Sequence, residues 1–209
     1  MRPKIIILLG LIILITVFFI INPFKKDKEK SGELTVINNL TELFPSKATT
    51  LKFEQSNSQY QLKITDVKKE NDTTTIISKY DITNDNQTTT VETTYVIMPE
   101  KIVESGKFIS DGKVVSIIYP IELLVGMPYE KMSWKTPDKL VTNTVTSMKN
   151  NQVTIESVRT IDIYEVGKNT SVKKEYKETR IFEKGKGIVL FRSEIVGDKS
   201  TIVERKLIR

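Results

Sequence analysis

Hydrophobic and polar side chains alternate along most of the chain from residue 51 onward. Tyr60, Leu62 and Ile64 form one such run, and runs with the same period of two recur as far as residue 163. This alternation is typical of strands that bury one face, and the prevalence of Thr, Val and Ile suits a pleated surface. No stretch of helical period lies between the runs, which excludes the helical crossovers of a parallel sheet. The pattern predicts an all-β domain, an antiparallel meander of about ten strands.

Short polar segments mark the turns between these strands. Asp111-Gly112 is the strongest hairpin signal, and Asn150-Asn151 separates two further runs. Two of the predicted strands, residues 152–166 and 171–183, are long. Because long strands coil rather than lie flat, we expect a curved sheet or an open (half) barrel.

A different period precedes the strands. Residues 34–44 carry apolar side chains at nearly helical spacing, among them Ile37, Leu40 and Phe44. This spacing predicts one short helix that leads into the β domain. Pro45 would end the helix, because a proline disfavours the α conformation in the residue before it.

An uncharged apolar stretch, residues 5–21, lies near the start of the chain. A helix of that length spans about 26 Å, close to the roughly 30 Å hydrocarbon core of a bilayer. The alternatives are a cleaved signal peptide and a buried helix, but no small-residue cleavage pattern follows, and the first alanine is Ala48. We expect residues 1–24 to be an N-terminal transmembrane helix, residues 25–33 a charged linker and residues 34–209 the β domain.

The orientation of this anchor follows from two opposed signals. Lysines dominate the flank after the apolar stretch, and the positive-inside rule alone would place that side in the cytoplasm. Long domains translocate largely regardless of charge, however, and a Thr-rich domain without Cys is typical of exported β proteins. We therefore expect a single-pass protein of the cell membrane, with its N-terminus in the cytoplasm and its β domain outside.

Charge and composition narrow the chemistry. The formal charge is +6, but the first 30 residues carry six Lys or Arg against two acids, so the β domain has no basic footprint for nucleic acid. The chain has no His and no Cys, which removes the commonest general base, the commonest metal ligand and all thiolate chemistry. The sequence predicts a protein that is not an enzyme and has no cofactor.

The densest aromatic and apolar stretch of the β domain is residues 119–134, here called the aromatic segment. Prolines and a glycine interrupt regular strand pairing there. One interpretation is a loop that fills the core, with Trp134 as its plug. The other is a lip around a groove for a partner or an apolar ligand. The candidate lip residues are Tyr119, Leu123, Leu124, Met127, Tyr129, Met132 and Trp134.

A charged run crosses the later strands. It consists of Lys173, Lys174, Lys177, Arg180 and Lys184, interleaved with Glu175, Glu178 and Glu183. Alternating signs at this spacing favour a solvated face with cross-strand ion pairs over a site for a polyanion.

Three short motifs carry a resemblance to a known group of proteins. Phe44-Pro45 precedes a strand, Tyr119-Pro120 begins a segment that reaches Gly126 and then Trp134, and Gly-Lys-Gly-Ile-Val follows at residues 185–189. This order resembles bacterial extracytoplasmic β domains, many of them lipoproteins. The resemblance implies a curved antiparallel sheet similar to periplasmic lipoprotein-carrier folds, and it implies no catalytic residue.

Two functions follow as hypotheses. The first is a membrane-anchored, non-enzymatic module of the bacterial cell envelope that binds an envelope protein or wall component. The second is a carrier-like domain that holds an apolar ligand or lipid in the curve of its sheet. In either case we expect the soluble domain to be a monomer.

Overall fold

Antiparallel strands joined by short turns curl into a nearly closed barrel. The structure, a computed structural model, describes residues 33–55, 58–84, 87–164 and 171–208. Within those ranges the strands are β1 (Thr49–Gln55), β2 (Ser58–Glu70), β3 (Thr73–Asn84), β4 (Gln87–Met98), β5 (Lys101–Ser110), β6 (Lys113–Val125), β7 (Ser133–Lys135), β8 (Thr142–Lys149), β9 (Gln152–Tyr164), β10 (Ser171–Glu183), β11 (Gly187–Ile195) and β12 (Asp198–Leu207). All belong to one unit, Leu34–Arg209. The all-β antiparallel prediction is confirmed, with twelve described strands in place of about ten.

The order of the strands explains why the sheet curls. Among the described strands, sequence neighbours pair except β6 with β7, and β1 pairs with β12. β6 and β7 are therefore the two edges of the sheet, yet residues 126–132 alone connect them. Such a link reaches about 30 Å at most, whereas a flat sheet of twelve strands is about 50 Å wide. The sheet must curl until its edges approach, which confirms the predicted curvature. The gap between β6 and β7 is here called the seam.

The hairpin turns follow the predicted chemistry. Asp111 and Gly112 have φ values of 51° and 72°, and Asn150 and Asn151 have 56° and 63°. Two successive residues with positive φ build the turn whose twist matches a β-hairpin, and Asp, Asn and Gly tolerate that conformation best. Strands β5 and β6 pair directly across Asp111-Gly112, so the strongest hairpin prediction is confirmed.

The chain before β1 closes one end of the barrel. Residues 34–45, here called the capping segment, bury Leu40, Leu43 and Phe44 in the core. The N–H of Gly185 donates to the carbonyl of Glu42 (2.7 Å), which ties the segment to the turn between β10 and β11. Barrels widen as the number of strands increases. The side chains of about eight strands can fill the barrel interior, but those of more strands leave space. A wider barrel needs such a cap to fill its end.

Inward side chains of the strands pack on the capping segment. They have no exposed surface and include Ile97, Ile102, Leu124, Val145 and Phe182. This apolar layer fills the capped end of the barrel, and the rest of the interior is lined differently.

The short helix predicted over residues 34–44 is wrong in extent. The described residues contain no α-helix, and the capping segment forms a single 3-10 turn, Leu40–Leu43. Its beginning is extended instead, because the N–H of Thr35 donates to the carbonyl of Met148 (3.0 Å). The near-helical spacing reflects which side chains point into the barrel end. The transmembrane helix predicted for residues 1–24 lies outside the described residues.

Gly106 allows β5 to approach both of its neighbours closely. A Cβ atom there would lie 2.8 Å from the carbonyl oxygen of Glu92 and 3.2 Å from Cδ1 of Ile118. Because a main-chain oxygen cannot swing away, we expect Gly106→Ala to lower the free energy of unfolding by about 1–3 kcal/mol. Denaturant titration measures the change, with Ser105→Ala on the same strand as the control. An unchanged midpoint in Gly106→Ala would contradict the close approach.

Candidate functional site

Four of the seven predicted lip residues lie against the core. Leu123 and Leu124 are buried, and Met132 and Trp134 are half-buried against the core cluster. The N–H of Val145 donates to the carbonyl of Met132 (2.9 Å), so the end of the β6–β7 link pairs with β8 like a short strand. This part of the aromatic segment fills space along the seam.

The other three predicted lip residues are exposed. Tyr119 has 78% of its surface exposed on β6, and Met127 and Tyr129 are exposed in the β6–β7 link. The structure therefore does not bring the seven side chains to one surface. A role of these residues in binding a partner or ligand stays a prediction.

Trp134 offers a test of the core-filling interpretation. We expect Trp134→Ala to lower the free energy of unfolding by about 2–3 kcal/mol, less than for a fully buried Trp because the indole is half-buried. Trp134→Phe should cost less, since it keeps a ring and removes the buried Nε1, which has no hydrogen-bond partner among the described residues. Tyr129→Ala, in the link just before β7, is the exposed control. Equal midpoints for Trp134→Ala and wild type would rule out the core-filling role.

The interior beyond the capped end holds a cavity of about 360 Å³. Nine of the described strands and the capping segment contribute to its wall. Its aromatic lining includes Phe53, Tyr80, Phe108 and Phe191, which gives a ligand a large apolar surface. The strands bring these rings together from distant parts of the sequence.

A charged layer forms part of the cavity wall. Nη2 of Arg180 lies 2.6 Å from Oε2 of Glu178, and both side chains are largely buried. The two residues are two positions apart on β10, so they share its inward face. The same face carries Phe182 in the core, which explains why two charged residues enter the barrel at this point.

Glu104 on β5 is the second acid of this layer. Burial raises the pKa of its carboxyl group above the ordinary value, although the positive charge of Arg180 and a hydrogen bond from Tyr95 oppose that shift. Burial and the adjacent Glu104 also raise the pKa of the Tyr95 hydroxyl well above its usual range. The guanidinium of Arg180 thus interacts with the carboxyl groups of both Glu178 and Glu104. Because its pKa is raised, Glu104 takes up a proton more readily than an exposed acid does.

Arg205 on β12 lies in the same cavity. Its guanidinium carbon is 5.9 Å from the ring centre of Phe53 and 5.6 Å from that of Phe191. Burial lowers the pKa of Arg205. In the part of the chain that the structure describes, no carboxylate pairs with it.

A smaller cavity of about 120 Å³ adjoins the first and shares Ile121, Glu178 and Arg180 with it. The hydroxyl of Ser157 donates to Oδ1 of Asn143 (2.6 Å) on its wall. The buried Nδ2 of Asn143 has no hydrogen-bond partner among the described residues, and that donor is a further polar group a ligand could use.

Sequence reasoning missed the charged layer. The interpretation of the charged run as a solvated, cross-strand-paired face holds for Lys177, which pairs with a glutamate of β9 (2.9 Å). It is wrong for Glu178 and Arg180, which face inward. The alternation along β10 was the available signal. Glu178 and Arg180 lie on the same face of the strand as Tyr176 and Phe182, and these two aromatic residues mark the inward face.

No family model matches the chain, and no curated protein or solved structure matches it either. In the ranges that the structure describes, no helix is both long and apolar enough to cross a bilayer. The same ranges contain no group of three or more metal-binding side chains. The geometry that remains to be explained is an aromatic cavity with a charged layer.

Proposed function

We propose that the β domain is a non-enzymatic binding module that holds a small, largely apolar ligand inside its barrel. The observation that carries the proposal is the cavity of about 360 Å³ lined by aromatic rings. Ligand pockets usually measure about 300–1,000 Å³, and they combine an apolar lining with a few polar groups that fix orientation. The charged layer supplies such groups.

The proposal includes the cellular setting predicted from sequence. Residues 1–24 anchor the protein in the cell membrane, and the β domain lies outside, where it meets apolar or lipid ligands of the envelope. Carbonate washing of host membranes should leave the full chain in the pellet, and protease added to cells with a permeable wall should remove the β domain. A protected β domain would overturn this orientation.

Ligand occupancy is tested with a matched pair of substitutions. Val91 is buried and lines the cavity, whereas Val115 is exposed on β6. Val91→Phe should fill part of the cavity and reduce bound ligand, while Val115→Phe should not. The measurement is mass spectrometry of small molecules extracted from the purified full chain, after circular dichroism has shown that each variant is folded. If wild type carries no ligand and takes up no apolar probe, the proposal fails.

A second candidate function is recognition of an extended segment of an envelope protein. It is favoured by β6, an edge strand whose Val115, Ile117 and Tyr119 side chains are exposed. Apolar edge strands readily accept an added strand. A photocrosslinker at Tyr119 should capture one envelope protein, and Ile117→Lys should abolish that product. Val203→Lys, at an exposed position of β12, is the control. Crosslinks between two copies of the chain would contradict this function.

A further inference from the structure

Arg205 differs from the other charged residues of the large cavity. Arg180 has a carboxylate at 2.6 Å, and Lys186 pairs with Glu183. Arg205 contacts two aromatic rings, and among the described residues no carboxylate lies within ion-pair distance of it. It is therefore the cavity cation whose charge the described chain leaves uncompensated.

The chemistry of guanidinium makes this arrangement costly. A buried carboxyl group can escape its charge by taking a proton, as Glu104 is disposed to do, but an arginine stays protonated under all ordinary conditions. The rings of Phe53 and Phe191 interact with the cation through their faces. They do not accept the five N–H donors at the edges of the guanidinium, and those donors fit an oxyanion.

We propose that the ligand is an amphipathic anion, whose carboxylate binds Arg205 while its apolar body lies among the aromatic rings of the cavity. This inference rests on the proposed function and names its ligand class. An apolar cavity of about 150 Å³ holds one benzene molecule, so a cavity of about 360 Å³ has room for roughly a dozen non-hydrogen atoms. An aromatic acid or a medium-chain fatty acid has that size.

A cationic ligand fits the cavity less well. The carboxylates that could attract it, Glu104 and Glu178, both face Arg180, and Glu178 already pairs with it at 2.6 Å. Two of the cavity's rings, Phe53 and Phe191, lie against Arg205. A cation placed among those rings would lie beside a like charge, whereas an anion there gains a partner.

The test uses three probes that share a naphthalene ring and differ in charge. Naphthalene-2-carboxylate is the anion, naphthalene-2-methanol the neutral analogue and naphthalene-2-methylamine the cation. Equilibrium dialysis of the purified full chain at pH 7.5, in a non-ionic detergent present on both sides of the membrane, gives each dissociation constant. We expect the carboxylate to bind about ten to a hundred times more tightly than the alcohol, as charge-assisted hydrogen bonds provide.

Two arginine variants locate the charge effect. Arg205→Met keeps a long side chain against Phe53 and Phe191, so it should lose the preference for the carboxylate and retain the affinity for the alcohol. Arg192 is the matched control, because it lies on the neighbouring strand β11 and pairs with Glu194 at 2.8 Å. Arg192→Met should bind all three probes as wild type does.

The outcomes separate this inference from the function on which it rests. If wild type binds the alcohol or the amine as tightly as the carboxylate, the anionic ligand is excluded while the cavity remains a binding site. If none of the three probes binds, both proposals fail. A carboxylate preference that survives in Arg205→Met also overturns the role of Arg205. The wild-type comparison decides the ligand class even if Arg205→Met does not fold.

Discussion

Leu43→Ala should lower the free energy of unfolding by about 2–5 kcal/mol. Leu43 has no exposed surface and lies in the capping segment, where it packs into the core at the closed end of the barrel. Removing its side chain leaves a void that the strands cannot close, because the barrel wall fixes their spacing. Urea denaturation followed by far-ultraviolet circular dichroism measures the loss.

Leu140→Ala is the matched control for this experiment. Leu140 has 70% of its surface exposed in the loop before β8, so the same substitution should change stability by no more than about 0.5 kcal/mol. Equal effects of the two substitutions would show that the capping segment does not stabilise the barrel.

Arg180→Met should lower the free energy of unfolding by about 3–5 kcal/mol at pH 8. The substitution keeps most of the side-chain volume but leaves Glu178 and Glu104 buried without the guanidinium that serves both. The cost therefore comes from two uncompensated carboxylates rather than from a void. Denaturant titration of both proteins at pH 8 gives the difference.

The loss in Arg180→Met should depend on pH in a defined direction. Burial already raises the pKa of Glu104, and removing Arg180 takes away the largest opposing effect, so the pKa of Glu104 in the folded variant rises further. An acid with a raised folded pKa costs no stability below its unfolded value, about 4.3, and costs progressively more as pH rises from that value to the folded pKa. The deficit should be small at pH 4 and grow toward pH 8.

Two variants check the cause of this pH dependence. Adding Glu104→Gln to Arg180→Met should recover part of the stability at pH 8, because it removes one uncompensated charge. Arg192→Met, on the outer face of β11, should change stability little at either pH. A deficit of equal size at pH 4 and pH 8 would mean that packing, not charge, is responsible.

Local patterns were sufficient to predict the class of the fold. The period of two predicted antiparallel strands, and Asp111-Gly112 predicted a hairpin whose residues adopt positive φ. The capping segment was harder, because Ile37 and Leu40 have nearly helical spacing in a chain that crosses the barrel end mostly without a helix. Tertiary packing there replaces the local hydrogen bonds that a helix would make.

Features that join distant residues could not be predicted in this way. No local signal in β1 or β12 indicates that Phe53 pairs with Leu207. The same limit hid the candidate site. In β5, Glu104 lies on the same face of the strand as Ile102 and Phe108, which indicates that this acid points inward. Its partner Arg180, however, is on the distant strand β10. Charged residues in strands usually face water, and only the closed barrel shows which of them do not.

The pairing of β1 with β12 also sets the order in which the domain can fold. Its residue pairs, such as Gln55 with Arg205, join positions about 150 apart, whereas the other described strand pairs connect neighbours in sequence. Closing so long a loop costs chain entropy before the contacts between β1 and β12 can form. The half-sheets β1–β6 and β7–β12 can therefore form first, and their joining through β1 and β12 comes late. Phe53 and Arg205 lie on opposite sides of that join and both line the cavity. The cavity wall is therefore complete only after β1 and β12 have paired.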